Sequence, residues 1–134
     1  MCVISGAVSV SGGPIEDLAR RVGVMRDLVK HRGPDGSGQW QHPTANVGRG
    51  HQRLTIIDLT ESGAQPMTDR AGNWVTFNGE IYNYIELREE IGKQVFVSAS
   101  DTEVILRGFR KWGPAVLTKL RGMFAFALWD DATQ

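Results

Sequence analysis

The sequence lacks the features that mark several large classes of protein. It has 134 residues and a formal net charge of zero, because 15 basic residues balance 15 acidic ones. No excess charge therefore favours nucleic acid or an anionic membrane as a partner. No apolar run approaches the roughly 20 residues of a membrane-spanning helix, and the start has no basic and apolar regions typical of a secretory signal. We expect a single cytoplasmic domain that binds neither nucleic acid nor a membrane.

Cysteine is scarce and histidine is scattered. Cys2 is the only cysteine, so no internal disulfide can form, which fits a reducing compartment. The three histidines have no cysteine or second histidine at a spacing typical of metal ligands. The sequence therefore predicts no metal site. It also raises the question of why the only thiol directly follows the initiator methionine.

Hydrophobic periodicity predicts an α+β domain. β-Branched and apolar runs predict strands, and apolar residues at helical spacing predict helices. The predicted strands are residues 2–10, 38–42, 45–50, 53–58, 73–77, 94–99 and 123–130, and the predicted helices are residues 15–30, 80–91, 100–113 and 114–122. Because the last predicted strand is followed only by a turn, we expect residues 1–134 to form one domain that is incomplete at its C-terminus.

Two interpretations of Cys2 are open. The simpler one is a small buried side chain in a strand, since free cysteine is often buried. The other requires removal of Met1, which leaves a thiol and a free α-amine on the same residue. The amine, whose pKa is ordinarily about 7.7–8.0, can accept the proton of a thiol whose pKa is ordinarily about 8.5. A nucleophile beside its own base is suited to acyl transfer, and no histidine is needed.

The stretch "FNGEIYNY" contains the next candidates. An Asn-Gly pair between apolar residues is a common hairpin turn, but the apolar residues after Gly79 have helical spacing. We therefore predict a strand-to-helix junction, which points backbone N–H groups outward at the helix start. The Asn78 amide and the Gly79 N–H would then be two donors for an oxyanion.

Two charged residues could bind the ends of an amino acid. Arg53 stands at the entry of an apolar strand, where a guanidinium can bind a carboxylate with two parallel hydrogen bonds. Asp101 could bind an ammonium group. The simpler interpretations are a solvated surface arginine and a helix cap. Together with the thiol and the oxyanion donors, these residues outline an α-amino acid with a side-chain acyl group, such as glutamine.

Seven motifs in order give a family resemblance. "MC", "HRGPDGSG", "RLTIIDL", "GAQPM", "NGEIYNYIELR", "SDTEVIL" and "RGMFAFALWD" cover nearly the whole chain. Together they resemble the N-terminal glutaminase domain of glutamine-hydrolysing asparagine synthetase, a class II amidotransferase with an N-terminal nucleophile. The resemblance implies a four-layer sandwich of two stacked, mostly antiparallel sheets with helices outside.

The resemblance also implies site residues. The nucleophile would be Cys2 with its α-amine as base, and Asn78 and Gly79 would form the oxyanion hole. The substrate-binding residues would be Arg53 for the glutamine carboxylate, Asp101 and Glu80 for the α-amino group, and Leu54 and Ile56 through their backbones. The reaction would convert glutamine to glutamate and ammonia through a thioester, and the ammonia would serve asparagine synthesis from aspartate.

The sequence departs from the family pattern in two ways. Val3 stands where the family usually has glycine, and a β-branched side chain there disfavours positive φ and could crowd the thiol. The synthetase domain, which would bind ATP and Mg²⁺, is absent, so we expect no cofactor in this chain and a synthetase partner in the same or another chain. Two alternatives stay open: a module that serves another acceptor, and an inactive amino-acid-binding or docking module. Exposed strand edges leave a homo-oligomer open as well.

Overall fold

The computed structural model describes residues 2–134, which form two three-stranded antiparallel sheets with helices. The strands are β1 (Val3–Val8), β2 (Gly36–Gln41), β3 (Val47–Arg53), β4 (Met67–Thr68), β5 (Asn73–Ile81) and β6 (Gly122–Asp130). The helices are α1 (Leu18–Leu28), α2 (Tyr84–Ile91), α3 (Thr102–Trp112) and α4 (Val116–Lys119). Within the described residues, no helix is long and apolar enough to cross a membrane.

The first sheet has the order β1-β3-β2 and is covered by α1. Glycines in β3 allow the helix to approach closely. A Cβ on Gly48 would lie 2.9 Å from Leu18 Cγ, and a Cβ on Gly50 would lie 3.2 Å from Val22 Cγ1. Leu18 and Val22 are the buried residues of α1, so the helix packs its apolar stripe against a strand that has little side-chain bulk.

The second sheet has the order β4-β5-β6 and carries the main apolar core. Alternate residues of β5 face α2 and α3, which follows from the two-residue period of a strand. The core residues are Met67, Val75, Phe77, Ile81, Leu87, Val104, Ile105, Leu106, Val116 and Leu120. This core holds β5 and the start of α3 together, and both elements contribute to the candidate site described below.

The inner faces of the two sheets pack on each other. The Trp40 and Trp74 rings stack with centroids 4.7 Å apart. Arg49 of β3 donates from Nη1 to the carbonyl oxygens of Trp74 (2.9 Å) and Ala127 (2.7 Å) in the second sheet. The layer order is therefore helix, sheet, sheet, helix, which confirms the predicted four-layer α+β sandwich.

The predicted strand at residues 53–58 is wrong beyond Arg53. The chain leaves β3 there and forms a loop with a short 3-10 turn at Glu61–Gly63. The Arg53 guanidinium donates to the carbonyl oxygens of Asp58 and Thr60. These hydrogen bonds bring residues 58–60 back to Arg53. The segment is therefore a loop, although its residues have high β propensity.

The predicted strand at residues 94–99 is also wrong. Glu103 accepts hydrogen bonds from the Val97 N–H (3.1 Å) and the Ser98 N–H (2.8 Å). Arg88 donates to the Ser98 carbonyl oxygen at 2.7 Å. Side chains therefore satisfy the backbone groups that a neighbouring strand would otherwise have to pair.

The predicted strand-to-helix junction at Asn78 and Gly79 is four residues early. Strand β5 continues to Ile81, and α2 begins only at Tyr84. Asn78 and Gly79 pair with Ala125 and Phe124 of β6. Any oxyanion donor at this position belongs to a strand edge and not to a helix N-terminus.

Candidate active site

One cleft gathers seven of the eight site residues predicted from the sequence. It lies where β1 starts, where β3 ends, and where β5 meets the start of α3. The predicted residues that line it are Cys2, Arg53, Leu54, Ile56, Gly79, Glu80 and Asp101. Asn78, the eighth, is not among the lining residues. Residues separated by up to 99 positions in sequence thus meet at one place in the fold.

The Cys2 sulfur is held by the backbone of Leu54. The Leu54 N–H donates to Sγ at 3.3 Å, and the thiol donates to the Leu54 carbonyl oxygen at 3.4 Å. Cys2 is half-buried and lines the cleft, so the interpretation as a sealed apolar side chain is wrong. A hydrogen bond donated to sulfur strengthens when sulfur carries negative charge. The predicted removal of Met1 concerns a residue outside the described part of the chain.

The edge of β5 that faces away from β6 supplies backbone donors. Because alternate residues of an antiparallel strand direct both N–H and C=O to the same side, Phe77, Gly79 and Ile81 share this edge. The Phe77 N–H donates to Gln65 Oε1 at 2.6 Å, and the Ile81 N–H donates to Asp101 Oδ2 at 2.9 Å. The Gly79 N–H lies between these two and faces the cleft.

Glycine is required at position 79. Its φ is +151°, and a Cβ there would overlap the Met123 carbonyl oxygen and come within 2.8 Å of the Phe124 Cβ. Strand β6 thus packs against the backbone of Gly79 with no space for a side chain. This contact fixes the position of the Gly79 N–H.

Asn78 is placed differently from the expectation. Its backbone pairs with Ala125, and its side-chain Oδ1 is buried without a hydrogen-bond partner among the described residues. Adjacent side chains of a strand point to opposite faces, so the Asn78 side chain leaves the strand on the face opposite to that of Phe77. Its assignment as an oxyanion donor therefore stays a prediction.

Arg53 is anchored by the loop that follows it. Nη1 donates to the Thr60 carbonyl oxygen at 2.9 Å, and Nη2 donates to the Asp58 carbonyl oxygen. A side chain at position 63 would overlap the guanidinium, and glycine leaves that space open. Arg53 is half-buried and lines the cleft, so it is not the solvated surface arginine of the simpler interpretation.

Asp58 locks this loop. Its carboxylate accepts hydrogen bonds from the Thr60 hydroxyl (2.6 Å), the Thr60 N–H (2.9 Å), the Ser62 hydroxyl (2.9 Å) and the Ala99 N–H (3.0 Å). Burial alone would raise the pKa of Asp58, but these hydrogen bonds outweigh it and lower the pKa from 3.8 to about 2. The ionised carboxylate therefore joins the loop around Arg53 to the segment before α3.

Asp101 faces the edge of β5 and does not cap its own helix. The Ser100 hydroxyl oxygen accepts the Thr102 N–H at 3.1 Å, while Asp101 accepts the Ile81 N–H. The Asp101 side chain is buried, and this burial raises its pKa; the Ile81 hydrogen bond opposes the rise and the Glu80 charge adds to it. A cation placed beside Asp101 and Glu80 would relieve both effects.

Several residues of the cleft were not predicted from the sequence. Gln65, Phe77, Thr102, Asp58 and Gly63 line it together with Ile57 and Ser100. All seven lie in a quoted stretch, namely "RLTIIDL", "GAQPM", "FNGEIYNY" or "SDTEVIL", but no residue-level signal assigned them a role in the site. Their contributions are hydrogen bonds and close backbone approaches, which depend on the fold. Among residues 2–134, no group of three or more His, Cys, Asp and Glu side chains could hold a metal ion.

The arrangement suits one kind of ligand. A thiol and a backbone N–H can act on a carbonyl group, a guanidinium can bind a carboxylate, and two carboxylates can bind an ammonium group. These functions sit around a single cleft. An α-amino acid that carries a second carbonyl in its side chain has the matching groups.

Comparison with known proteins agrees with this geometry. The family model described as a glutamine amidotransferase domain matches residues 1–134. A glutamine-hydrolyzing asparagine synthetase B of Escherichia coli is 41% identical over 98% of the chain, and a glutamine-hydrolyzing asparagine synthetase of Bacillus subtilis is 47% identical over 79%. The chain spans 23% and 17% of these two relatives. The structure of a glutamine phosphoribosylpyrophosphate amidotransferase from B. subtilis superimposes with a TM-score of 0.75 over 98% of the chain and 35% of that protein, at 18% identity.

Proposed function

Because this chain belongs to the glutamine amidotransferase domain family, we propose that it hydrolyses the side-chain amide of glutamine to give glutamate and ammonia. The observation that carries the proposal is the single cleft shared by Cys2, Arg53, Gly79 and Asp101. Each of these residues was selected from the sequence for a different part of the same ligand.

We propose the following steps. The α-amine of Cys2 takes the thiol proton, and the sulfur attacks the side-chain carbonyl carbon of glutamine. The N–H of Gly79 and the amide of Asn78 stabilise the oxyanion of the tetrahedral intermediate. The intermediate then breaks its C–N bond, the leaving nitrogen takes the proton from the α-amine, and ammonia departs from a thioester. Water attacks the thioester carbonyl, which releases glutamate and restores the thiol.

Substrate binding uses the polar groups at the rim of the cleft. Arg53 binds the glutamine carboxylate through donors that the loop carbonyls leave free, and Asp101 and Glu80 bind the α-ammonium group. The backbones of Leu54 and Ile56 contact the remainder of the amino acid. The nucleophile requires a free α-amine, so the proposal includes removal of Met1.

Val3 gives little support to an inactive module. It pairs with Gln52 in regular antiparallel register, and it is absent from the residues with positive φ. Since neighbouring side chains on a strand point to opposite faces, Val3 directs its bulk away from the face that carries the Cys2 thiol. The β-branched residue therefore fits its position without strain.

The larger context of the domain is part of the proposal. The ammonia would serve a synthetase that makes asparagine from aspartate, in the same or another chain, with ATP and Mg²⁺ bound there and no cofactor in residues 1–134. We place the activity in the cytoplasm, and the strand edges leave association with a second copy open. A different acceptor would change the synthetase but not the glutaminase chemistry.

Glutamine-dependent ammonia release tests this function. The assay is done on protein whose intact mass shows that Met1 has been removed, with Cys2→Ala as the matched inactive variant. We expect release that rises with pH as the α-amine loses its proton around pH 7.7–8.0. Release that persists in Cys2→Ala would remove Cys2 from the mechanism, and a flat profile between about pH 6 and 9 would remove the α-amine as the base.

A further inference from the structure

Gln65 lies two residues before β4, where the pairing between β4 and β5 ends. Strand β4 pairs Met67 with Val75 and Thr68 with Trp74. The same register, continued by two residues, places Gln65 opposite Phe77. Pro66 stands between Gln65 and β4, and proline has no N–H to extend a hydrogen-bond ladder. On the edge of β5 that faces away from β6, the sheet therefore leaves the Phe77 backbone without a partner strand.

Side chains take the place of that missing strand. The Phe77 N–H donates to Gln65 Oε1 at 2.6 Å, and His51 Nε2 lies 3.1 Å from the Phe77 carbonyl oxygen. Burial lowers the pKa of His51 to about 4, so the ring is neutral near pH 7 and its Nε2–H donates. Two buried side chains thus satisfy both backbone groups of the residue that precedes Asn78.

The other end of the Gln65 amide reaches α3. Gln65 Nε2 donates to Thr102 Oγ1 at 3.2 Å, and Thr102 is the first residue of α3. Asp101, the residue before it, binds the Ile81 N–H. Gln65 and Asp101 therefore occupy the donors on either side of Gly79, the Phe77 N–H and the Ile81 N–H, and the Gly79 N–H between them faces the cleft.

From this geometry we propose that Gln65 is a positioning residue for the reaction, a role that rests on the proposed function. Its amide holds the β5 edge at a fixed distance from the start of α3. It thereby fixes the distance between the Gly79 N–H, which binds the oxyanion, and Asp101, which binds the α-ammonium group of glutamine. It also keeps the Phe77 N–H occupied, so that the substrate oxygen meets the Gly79 N–H and not its neighbour.

This role differs from that of an ordinary buried glutamine, and the chain supplies one for comparison. Gln52 is 1% exposed, and its Nε2 donates to the Arg26 carbonyl oxygen at 3.2 Å. That hydrogen bond joins β3 to α1, on the face of the first sheet that is turned away from the second. Gln52→Met removes a buried amide of the same size without touching the β5 edge.

The test compares Gln65→Met with Gln52→Met in the full chain. We expect Gln65→Met to lower kcat for ammonia release at least about tenfold while KM for glutamine stays within about threefold, since the oxyanion forms only after binding. Gln52→Met should leave kcat within about twofold. Equal kcat losses in the two variants, or a Gln65→Met effect confined to KM, would overturn the proposal.

A second measurement separates positioning from general damage. The Cys2 thiol adds to the aldehyde carbon of glutamate γ-semialdehyde and forms a hemithioacetal. The oxygen of this adduct occupies the oxyanion position. The affinity for glutamate γ-semialdehyde should fall about tenfold in Gln65→Met, while the affinity for glutamate stays within about threefold of the wild-type value. If both affinities fall together, Gln65 does not act on the oxyanion site.

Two further controls keep the test decisive. Gln65→Glu retains an acceptor for the Phe77 N–H, so it should keep at least about threefold more activity than Gln65→Met. If methionine prevents folding, Thr102→Val, which removes the acceptor of Gln65 Nε2, takes its place with the same expected loss of kcat. Hydrogen exchange of the Phe77 amide should accelerate at least about tenfold in Gln65→Met. Unchanged exchange contradicts the hydrogen bond whatever the activity, whereas a wild-type chain that releases no ammonia contradicts the proposed function itself.

Discussion

The two walls of the cleft are built in different ways. One wall is the edge of β5, a nine-residue strand paired along its other edge with β6. The other wall consists of Arg53, at the end of β3, and the loop that follows it, which is held by side-chain hydrogen bonds to its own backbone. The strand wall presents a main-chain donor, and the loop wall presents a side-chain cation.

This difference separates two demands of the proposed reaction. Charge develops on the carbonyl oxygen only in the transition state, so its donor benefits from a rigid strand that needs no reorganisation. The carboxylate of the substrate is charged throughout, so a cation binds it equally in the ground state and in the transition state. Changes in the strand wall should therefore lower kcat, and changes in the loop wall should raise KM.

The largest effect is expected from Gly79→Ala in the strand wall. Its Cβ would overlap the Met123 carbonyl oxygen, so β5 and β6 must separate locally. We expect a loss of about 2–5 kcal/mol in the free energy of unfolding and a loss of ammonia release of at least about a thousandfold. Urea unfolding and the ammonia assay measure the two. Gly13→Ala, where the nearest atom is 3.9 Å away, is the control, and a Gly79→Ala chain as stable and active as that control would contradict the close approach.

A smaller effect in the same wall is expected from Asn78→Ala. Loss of one oxyanion donor raises the barrier by about 2.7–4 kcal/mol, or about 10²–10³ in kcat, while glutamine binding should change little. Steady-state kinetics separate kcat from KM. Because Asn78 Oδ1 lacks a partner among the described residues, removal of the amide should hardly alter stability. An unchanged kcat would leave Gly79 as the donor and remove Asn78 from the mechanism.

The two walls also differ in how well the sequence predicted them. The strand at residues 73–77 was predicted from its β-branched and aromatic pattern, and the structure extends it through Gly79 to Ile81. The helical spacing after Gly79 is real, but the helix begins later, because the Ile81 N–H finds a partner in Asp101, 20 residues away. No local pattern contains such a contact.

The loop wall shows the opposite error. "RLTIIDL" has the composition of a strand, yet Arg53 and Asp58 bind backbone groups of the segment and fold it into a loop. Arg53 was nevertheless selected correctly as a cleft residue, because its role follows from its charge and position in a motif. Residue types that carry chemistry could be predicted, whereas Gln65, Thr102 and Asp58 act through distances that only the fold supplies.

In the loop wall, Arg53→Lys should act mainly on binding. An ammonium group cannot keep two loop carbonyls and also bind a carboxylate with two parallel hydrogen bonds. We expect KM for glutamine to rise about 10- to 100-fold with kcat within about threefold, as measured by initial rates. Arg21→Lys on the exposed side of α1 is the matched control. A loss of kcat with KM unchanged would mean that Arg53 stabilises the transition state and not the bound substrate. The two walls would then have the same role.

The smallest effect, and the one that depends on pH, is expected from Asp58→Asn. The folded pKa of about 2 lies below the ordinary value of 3.8, so the ionised carboxylate stabilises the fold above about pH 4. That stabilisation disappears as the pH falls through 4 towards 2.

Allowing for solvent screening, we expect Asp58→Asn to lower the free energy of unfolding by about 1–2 kcal/mol at pH 7, with a several-fold rise in KM because Arg53 rests on this loop. Urea unfolding of both chains at pH 7 and near pH 2.5 measures the difference, which should shrink at the lower pH. Asp27→Asn, which removes an exposed carboxylate on α1, controls for net charge. If the stability difference were the same at both pH values, the Asp58 hydrogen bonds would not depend on its charge.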